Sequence, residues 1–138
     1  MRFRLVFTLI VLLNAGCAFF NYGDDQYQLR MATPGKDIVW VPSQVDIATK
    51  MLVLAQVKSG DLVYDLGSGD GVIPIQAAKQ YGVRAVGIEY NPDLVALSKR
   101  NAIRENVQNL VTFKQGDILV EDFSSATVVT LFLGDALN

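Results

Sequence analysis

Three glycines at alternating positions, Gly67, Gly69 and Gly71, constrain this chain more than any other feature. They stand in the run Asp65-Leu-Gly-Ser-Gly-Asp-Gly71. Before them lies Asp61–Leu66, a short apolar segment bounded by glycines that reads as a buried strand. After them Val72 to Tyr81 reads as a helix, with Pro74 admissible because it falls in the first turn and Gly82 as the stop. Glycines in a loop between a strand and a helix let main chain approach a ligand with no Cβ in the way. In a parallel sheet such loops lie at the carboxyl ends of the strands, where ligands bind.

The rest of the pattern repeats this unit. Ser43 and Asp46 form a capping-box variant ahead of Val45, Ala48, Met51, Leu52 and Ala55, which predicts a helix from Ser43 to Val57. Arg84–Glu89 is a second strand. Asn91-Pro92-Asp93 combines a cap, a proline at the first helical position and an acid matching the helix dipole, so a helix is expected to run to Arg104. Leu110–Lys114 and the very apolar Ala126–Leu133 are the third and fourth strands, joined by residues 115–125. Strands alternating with helices predict an α/β fold with a parallel, Rossmann-like sheet of four strands and helices on both faces, joined by right-handed crossovers.

The first residues are a different material. Arg2 and Arg4 are the only charges before Asp24, and they precede the apolar run Leu5–Leu13 and the small residues Ala15-Gly16-Cys17-Ala18. This order reads as a signal peptide or anchor over residues 1–18, short of a comfortable bilayer span. Ala-Gly-Cys resembles a bacterial lipoprotein cleavage box, with Cys17 as the lipidated residue, although Asn14 stands where that box has an aliphatic side chain. An exported or membrane-anchored chain is expected, with a cytoplasmic one as the alternative. Residues 19–36, with Pro34-Gly35 and no sustained period, read as a linker, which leaves 37–138 as the folded domain.

Composition removes several chemistries. The 138 residues include no His and one Cys, which excludes His-dependent triads, intramolecular disulfides and Cys/His zinc sites. No metal site is expected. Twelve basic against fourteen acidic residues, net −2, offer no excess charge for a nucleic-acid backbone, so no nucleic-acid partner is expected.

The glycine loop admits two cofactor classes. A dinucleotide fingerprint, G-x-G-x-x-G, would put its third glycine at position 72, where Val72 stands. A pyrophosphate at a helix N-terminus also requires freedom from nearby anions. Here Asp65 and Asp70 bracket the loop, and no Lys or Arg lies between Lys58 and Lys79. Two carboxylates suit a cationic ligand carrying an ammonium and a sulfonium, as S-adenosylmethionine does. Glu89, ending the second strand, is placed to accept from ribose hydroxyls in either cofactor, and Asp117 after the third strand could accept from an adenine amino group. Any one of these acids alone reads better as a helix cap or solvated loop residue; three acids and three glycines at successive strand ends together point to a ligand site.

Residues 37–138 resemble the class I S-adenosylmethionine-dependent methyltransferases. The likeness rests on Val39-Trp-Val-Pro-Ser43, Val63-Tyr-Asp-Leu-Gly-Ser-Gly-Asp-Gly71 and Glu89-Tyr-Asn-Pro92, and it extends to bacterial chains and to mitochondrial protein-lysine methyltransferases. The resemblance implies that Gly67, Gly69 and Gly71 pack on the methionine part, with Ser68 and Asp70 of the same loop also among the cofactor-binding residues. Asp65 then orients the ammonium, Glu89 holds the ribose and Asp117 the adenine edge. It implies a protein lysine as methyl acceptor. Non-catalytic binding of adenosine ligands and nicotinamide-dependent oxidoreduction are the competing functions. No catalytic residue is assigned; Asp135 and Asn138 are weak candidates, and Trp40 and Tyr90 are candidate pocket walls. Val72 replaces a usually basic residue, and no N/D-P-P-Y/F segment follows the fourth strand, which disfavours methylation of exocyclic base amines. The family's sheet has seven strands, so this chain reads as its N-terminal, C-terminally truncated part.

Overall fold

The structure is a computed structural model that describes residues 42–133. Its elements are α1 (Val45–Leu54), β1 (Leu62–Leu66), α2 (Val72–Tyr81), β2 (Arg84–Glu89), α3 (Pro92–Arg104), β3 (Val111–Gln115) and β4 (Val128–Leu131). The readings made on the N-terminal segment with Cys17, on the linker, on Trp40 and on Asp135 and Asn138 lie outside the described residues. Among those residues no helix is long and apolar enough to cross a membrane.

All four strands are parallel, in the order β3-β2-β1-β4. The chain winds outward from β1 through β2 to β3, then returns to the other side of β1. This reversal decides which face each connection covers. Right-handed crossovers running one way put α2 and α3 on one face, and the return to β4 must then pass over the other. Ala48 and Leu52 of α1, Ile73 and Ala77 of α2 and Val95 and Ala102 of α3 accordingly share one core with Val63, Ala85, Val111 and Phe113. Tyr64, Leu66 and Ile88 point the other way and meet Ile118, Phe123 and Ala126 of the β3–β4 connection. Within residues 42–133 the expected helices on both faces are therefore realised on one face, because the connection on the second is a loop.

The helix ends show where local sequence decides and where it does not. The start of α3 is as expected: Asn91 Oδ1 accepts from Asp93 N at 2.9 Å, with Pro92 in the first turn. The start of α1 is a correction. Its N-cap is Gln44 rather than Ser43, with no side-chain capping bond, and the Gln44 carbonyl receives Ile47 N and Ala48 N, each at 3.1 Å. The end of α1 is a second correction, since the helix stops at Leu54 and not at Val57. Gln56 turns left-handed at φ +52°, so that Gln56 N reaches Val53 O at 3.0 Å and Val57 N reaches Leu52 O at 3.2 Å. This is a Schellman closure. α3 ends identically, with Asn106 at φ +58° and Val107 N on Ala102 O at 3.0 Å. In both, the valine that follows is buried against the core, which holds the turn in place. Strand β4 is shorter than Ala126–Leu133 at both ends; at its entrance the Thr127 hydroxyl donates to Asp61 Oδ1 at 2.9 Å and accepts from Leu62 N at 2.8 Å.

A non-glycine residue in the left-handed region costs about 1–2 kcal/mol, part of which glycine returns as lost chain entropy. Gln56→Gly is therefore expected to raise unfolding stability in urea by about 0.5–1 kcal/mol. A destabilised variant would contradict the closure.

Candidate functional site

Because β1 has β2 on one side and β4 on the other, the sheet reverses its winding at β1, and the crevice of such a reversal opens at the carboxyl ends of β1 and β4. The glycine loop occupies that place. Gly67, Gly69 and Gly71 have φ values of +80°, +52° and +85°. At Gly67 a Cβ would collide with the side chain of Leu133, just past β4. At Gly71 it would come within 2.5 Å of Phe113 Cζ and 2.8 Å of Ser98 Cβ. The main chain there is closed in from both sides, which only glycine permits.

The loop is clamped to β2. Gly67 N and Ser68 N both donate to Ile88 O, at 2.8 and 3.0 Å. Gly69 N donates to Glu89 Oε2 at 2.9 Å, while Asn91 N donates to Glu89 Oε1 at 2.8 Å. Glu89 thus ties the loop to the start of α3, and each of its oxygens retains a second lone pair for a ligand hydroxyl. Asn101 Nδ2 of α3 donates to Asp70 O at 2.9 Å. Ser68 lies over Gly87, where a Cβ would fall 2.5 Å from Ser68 Oγ. That hydroxyl is the one buried side-chain polar atom among the described residues without a partner.

The electrostatics follow from burial. Asp65 is 2% exposed, and its carboxyl is pushed up to about 7. Desolvation is the main cause, Glu89 and Asp70 add to it, and the hydrogen bond from Thr130 opposes it. Asp70 is pushed up to about 6 by burial, against the pull of the Val72 and Asp70 backbone N–H groups. Asp70 therefore sits at the N-terminus of α2, where a diphosphate would need to bind. Asp117 Oδ1 accepts from Leu119 N at 2.9 Å, closing its own turn after β3.

The fold brings Asp65, Gly67, Ser68, Gly69, Asp70, Gly71 and Glu89 into one cluster, and Asp117 follows β3 beside it, where Gly116 N donates to Glu89 O at 3.0 Å. Gly87 and Thr130 are among the contributors absent from the sequence-derived set. Gly87 carried a usable signal, since glycine inside a strand marks a close backbone approach. Thr130, whose hydroxyl donates to Asp65 Oδ1 at 2.7 Å, carried none, because threonine in an apolar strand is an ordinary strand former. Among the described residues no group of acids, His or Cys could hold a metal ion. The glycine cradle and the buried acids fit a cationic nucleoside ligand rather than a dinucleotide.

Both raised carboxyls bind protons more tightly in the folded chain than in the unfolded one. Their contribution to stability is therefore full at low pH and is lost as pH rises from about 4 to about 7. Asp61 and Asp122, held below the usual carboxylate range by backbone hydrogen bonds, act oppositely, and only as pH falls below their unfolded value near 3.8. Urea unfolding of the unliganded chain should show stability declining toward pH 7, and Asp65→Asn should flatten most of that slope. Stability rising across the interval would contradict the burial of these acids in an uncharged form.

Comparison with known proteins agrees with this geometry. The model of the ANTKMT methyltransferase domain matches residues 65–138, more than half of the chain. A protein-lysine N-methyltransferase of Saccharolobus islandicus is 39% identical over 102 residues, covering 73% of this chain and 63% of the relative. A lysine N-methyltransferase of Homo sapiens, named for its action on the ATP synthase, is 43% identical over 89 residues, covering 64% of this chain and 36% of the relative. Among solved structures, an RNA methyltransferase from Salinibacter ruber in complex with S-adenosyl-L-homocysteine is 50% identical with a TM-score of 0.68, covering 70% of this chain and 63% of that one. An S-adenosylmethionine-dependent methyltransferase from Geobacter sulfurreducens is 28% identical with a TM-score of 0.57, covering 62% and 35%. The chain spans less than two thirds of the length of these curated relatives. Its sheet order, its glycine loop and the match across that loop place it in one family: the chain belongs to the ANTKMT methyltransferase domain family.

Proposed function

We propose that this domain binds S-adenosylmethionine at the ends of β1, β2 and β4 and serves methyl transfer to a protein lysine amine. The observation that carries the reading is the left-handed glycine loop, held against β2 by Glu89 and backed by buried carboxylates. The cofactor supplies a methyl group on a sulfonium, already an excellent leaving arrangement. The chain's own task is alignment and selection. The main chain of Gly67–Gly71 is the surface offered to the methionine part. Asp65 and Asp70 supply the negative field that favours an ammonium and a sulfonium. Glu89 accepts from the ribose hydroxyls, and Asp117 from the adenine amino group.

Little acid–base help is needed, because such transfer is dominated by placing the nucleophile behind the methyl carbon. A lysine acceptor must be neutral to react, and a desolvated approach lowers its pKa toward that state. The protein-lysine methyltransferases among the relatives support this acceptor. The Salinibacter relative, described as an RNA methyltransferase, favours a second reading in which RNA is methylated. The net charge of −2 supports the first.

Radiolabelled methyl from S-adenosylmethionine, incubated with the full chain and a lysate, should enter a protease-sensitive fraction and appear as methyl-lysine on hydrolysis. An RNase-sensitive label would overturn the lysine acceptor. Calorimetry should show S-adenosylhomocysteine binding and no NAD binding, and Gly69→Val should weaken the former at least about tenfold by filling the main-chain approach. Equal affinity in that variant would count against the site.

Residues 1–18 support export or membrane attachment of this activity. Cell fractionation tests the location, and a fatty-acid label reaching wild type and Cys17→Ala equally would overturn lipidation at Cys17.

A further inference from the structure

Thr130 lies opposite Asp65 in the β1–β4 register, so both side chains leave the same face of the sheet. Its residue is 5% exposed. Its hydroxyl is 2.7 Å from Asp65 Oδ1 and 3.3 Å from Tyr64 O. A hydroxyl has one proton, and once Asp65 is ionised the shorter bond to its carboxylate claims it. The other residues of β4 are Val128, Val129 and Leu131. A valine would fill the Thr130 position equally well as packing. A buried hydroxyl there incurs a desolvation cost that only its hydrogen bonds offset.

The charged groups that bear on Asp65 are both acids: Glu89 at the end of β2 and Asp70 in the glycine loop. Each disfavours a charged Asp65, and so does its burial. Thr130 is the neighbour that favours the charged form.

We propose that Thr130 is a positioning residue for the cofactor: its hydroxyl holds one oxygen of Asp65 against β4, so that the carboxyl stays oriented beneath the Gly67–Gly71 hollow and ionises more readily for the ligand's ammonium. The inference rests on the reading of S-adenosylmethionine as the ligand. It also makes binding proton-linked, because an ammonium near Asp65 favours the ionised form. Affinity therefore rises with pH as Asp65 ionises, near 7, with a smaller contribution from Asp70 near 6.

The test is calorimetric titration of the full chain with two probes across neutral pH. S-Adenosylhomocysteine carries the ammonium; 5′-methylthioadenosine shares the nucleoside and lacks it. In wild type the first should bind more tightly as pH rises, and the second should be insensitive to pH. Thr130→Val should move the midpoint of the first probe upward by about one pH unit and weaken it about tenfold at neutral pH, leaving the second within about twofold. Thr130→Ser, which restores the hydroxyl, should keep the wild-type midpoint. Should the valine variant not fold, Thr130→Ala replaces it, and the Asp65 carboxyl resonance of the unliganded chain reads the same shift. An unmoved midpoint, or equal weakening of both probes, overturns the role of Thr130 and leaves the cofactor reading standing. A wild-type chain that binds neither probe overturns the cofactor reading, and the inference with it.

Discussion

The close approach of the Gly67–Gly71 main chain to β2 is the contact on which the rest of the site depends. Two amides of the loop share one carbonyl, that of Ile88, and a third reaches the Glu89 carboxylate. The approach is possible because Gly87 has no side chain under Ser68 and because the loop's own glycines turn left-handed. A methyl group at either place would push the loop off the strand ends. Glu89 would then lose a donor, and the start of α3 would lose its tie to the loop.

The same closeness sets the electrostatics. The loop and the flanking strands exclude water from Asp65 and Asp70, and burial raises both carboxyls. A buried carboxylate among other acids is costly while the hollow holds no cation, and a cationic ligand relieves that cost. On the proposed reading, the site gains selectivity for positive charge from the arrangement that burdens the unliganded fold. A diphosphate would meet Asp70 at the head of α2, where a dinucleotide fold offers free amides instead.

Much of the architecture was legible in the chain. The boundaries of α2, β2 and α3 are those read from Gly71, Gly82 and the Asn91-Pro92 start, because each is set by residues with a strong local preference. The errors lie where local preference is weak. Ser43 is a better cap than Gln44, yet α1 begins where packing of Ala48 and Leu52 sets its rotation. Gln56 has no sequence signature of a left-handed residue, and it turns because Val57 is buried beyond it.

The sequence by itself determined that a strand, a glycine loop and a helix follow one another, and that acids rather than bases surround that loop. These follow from residue type and spacing within a few positions. Only the tertiary structure decided that β4 returns beside β1, that the described helices share one face, and that Thr130 meets Asp65 across 65 positions of chain. The physical reason is that strand order and register arise from burial and crossover handedness summed over the whole sheet, and no local run of residues encodes which distant strand will become its neighbour.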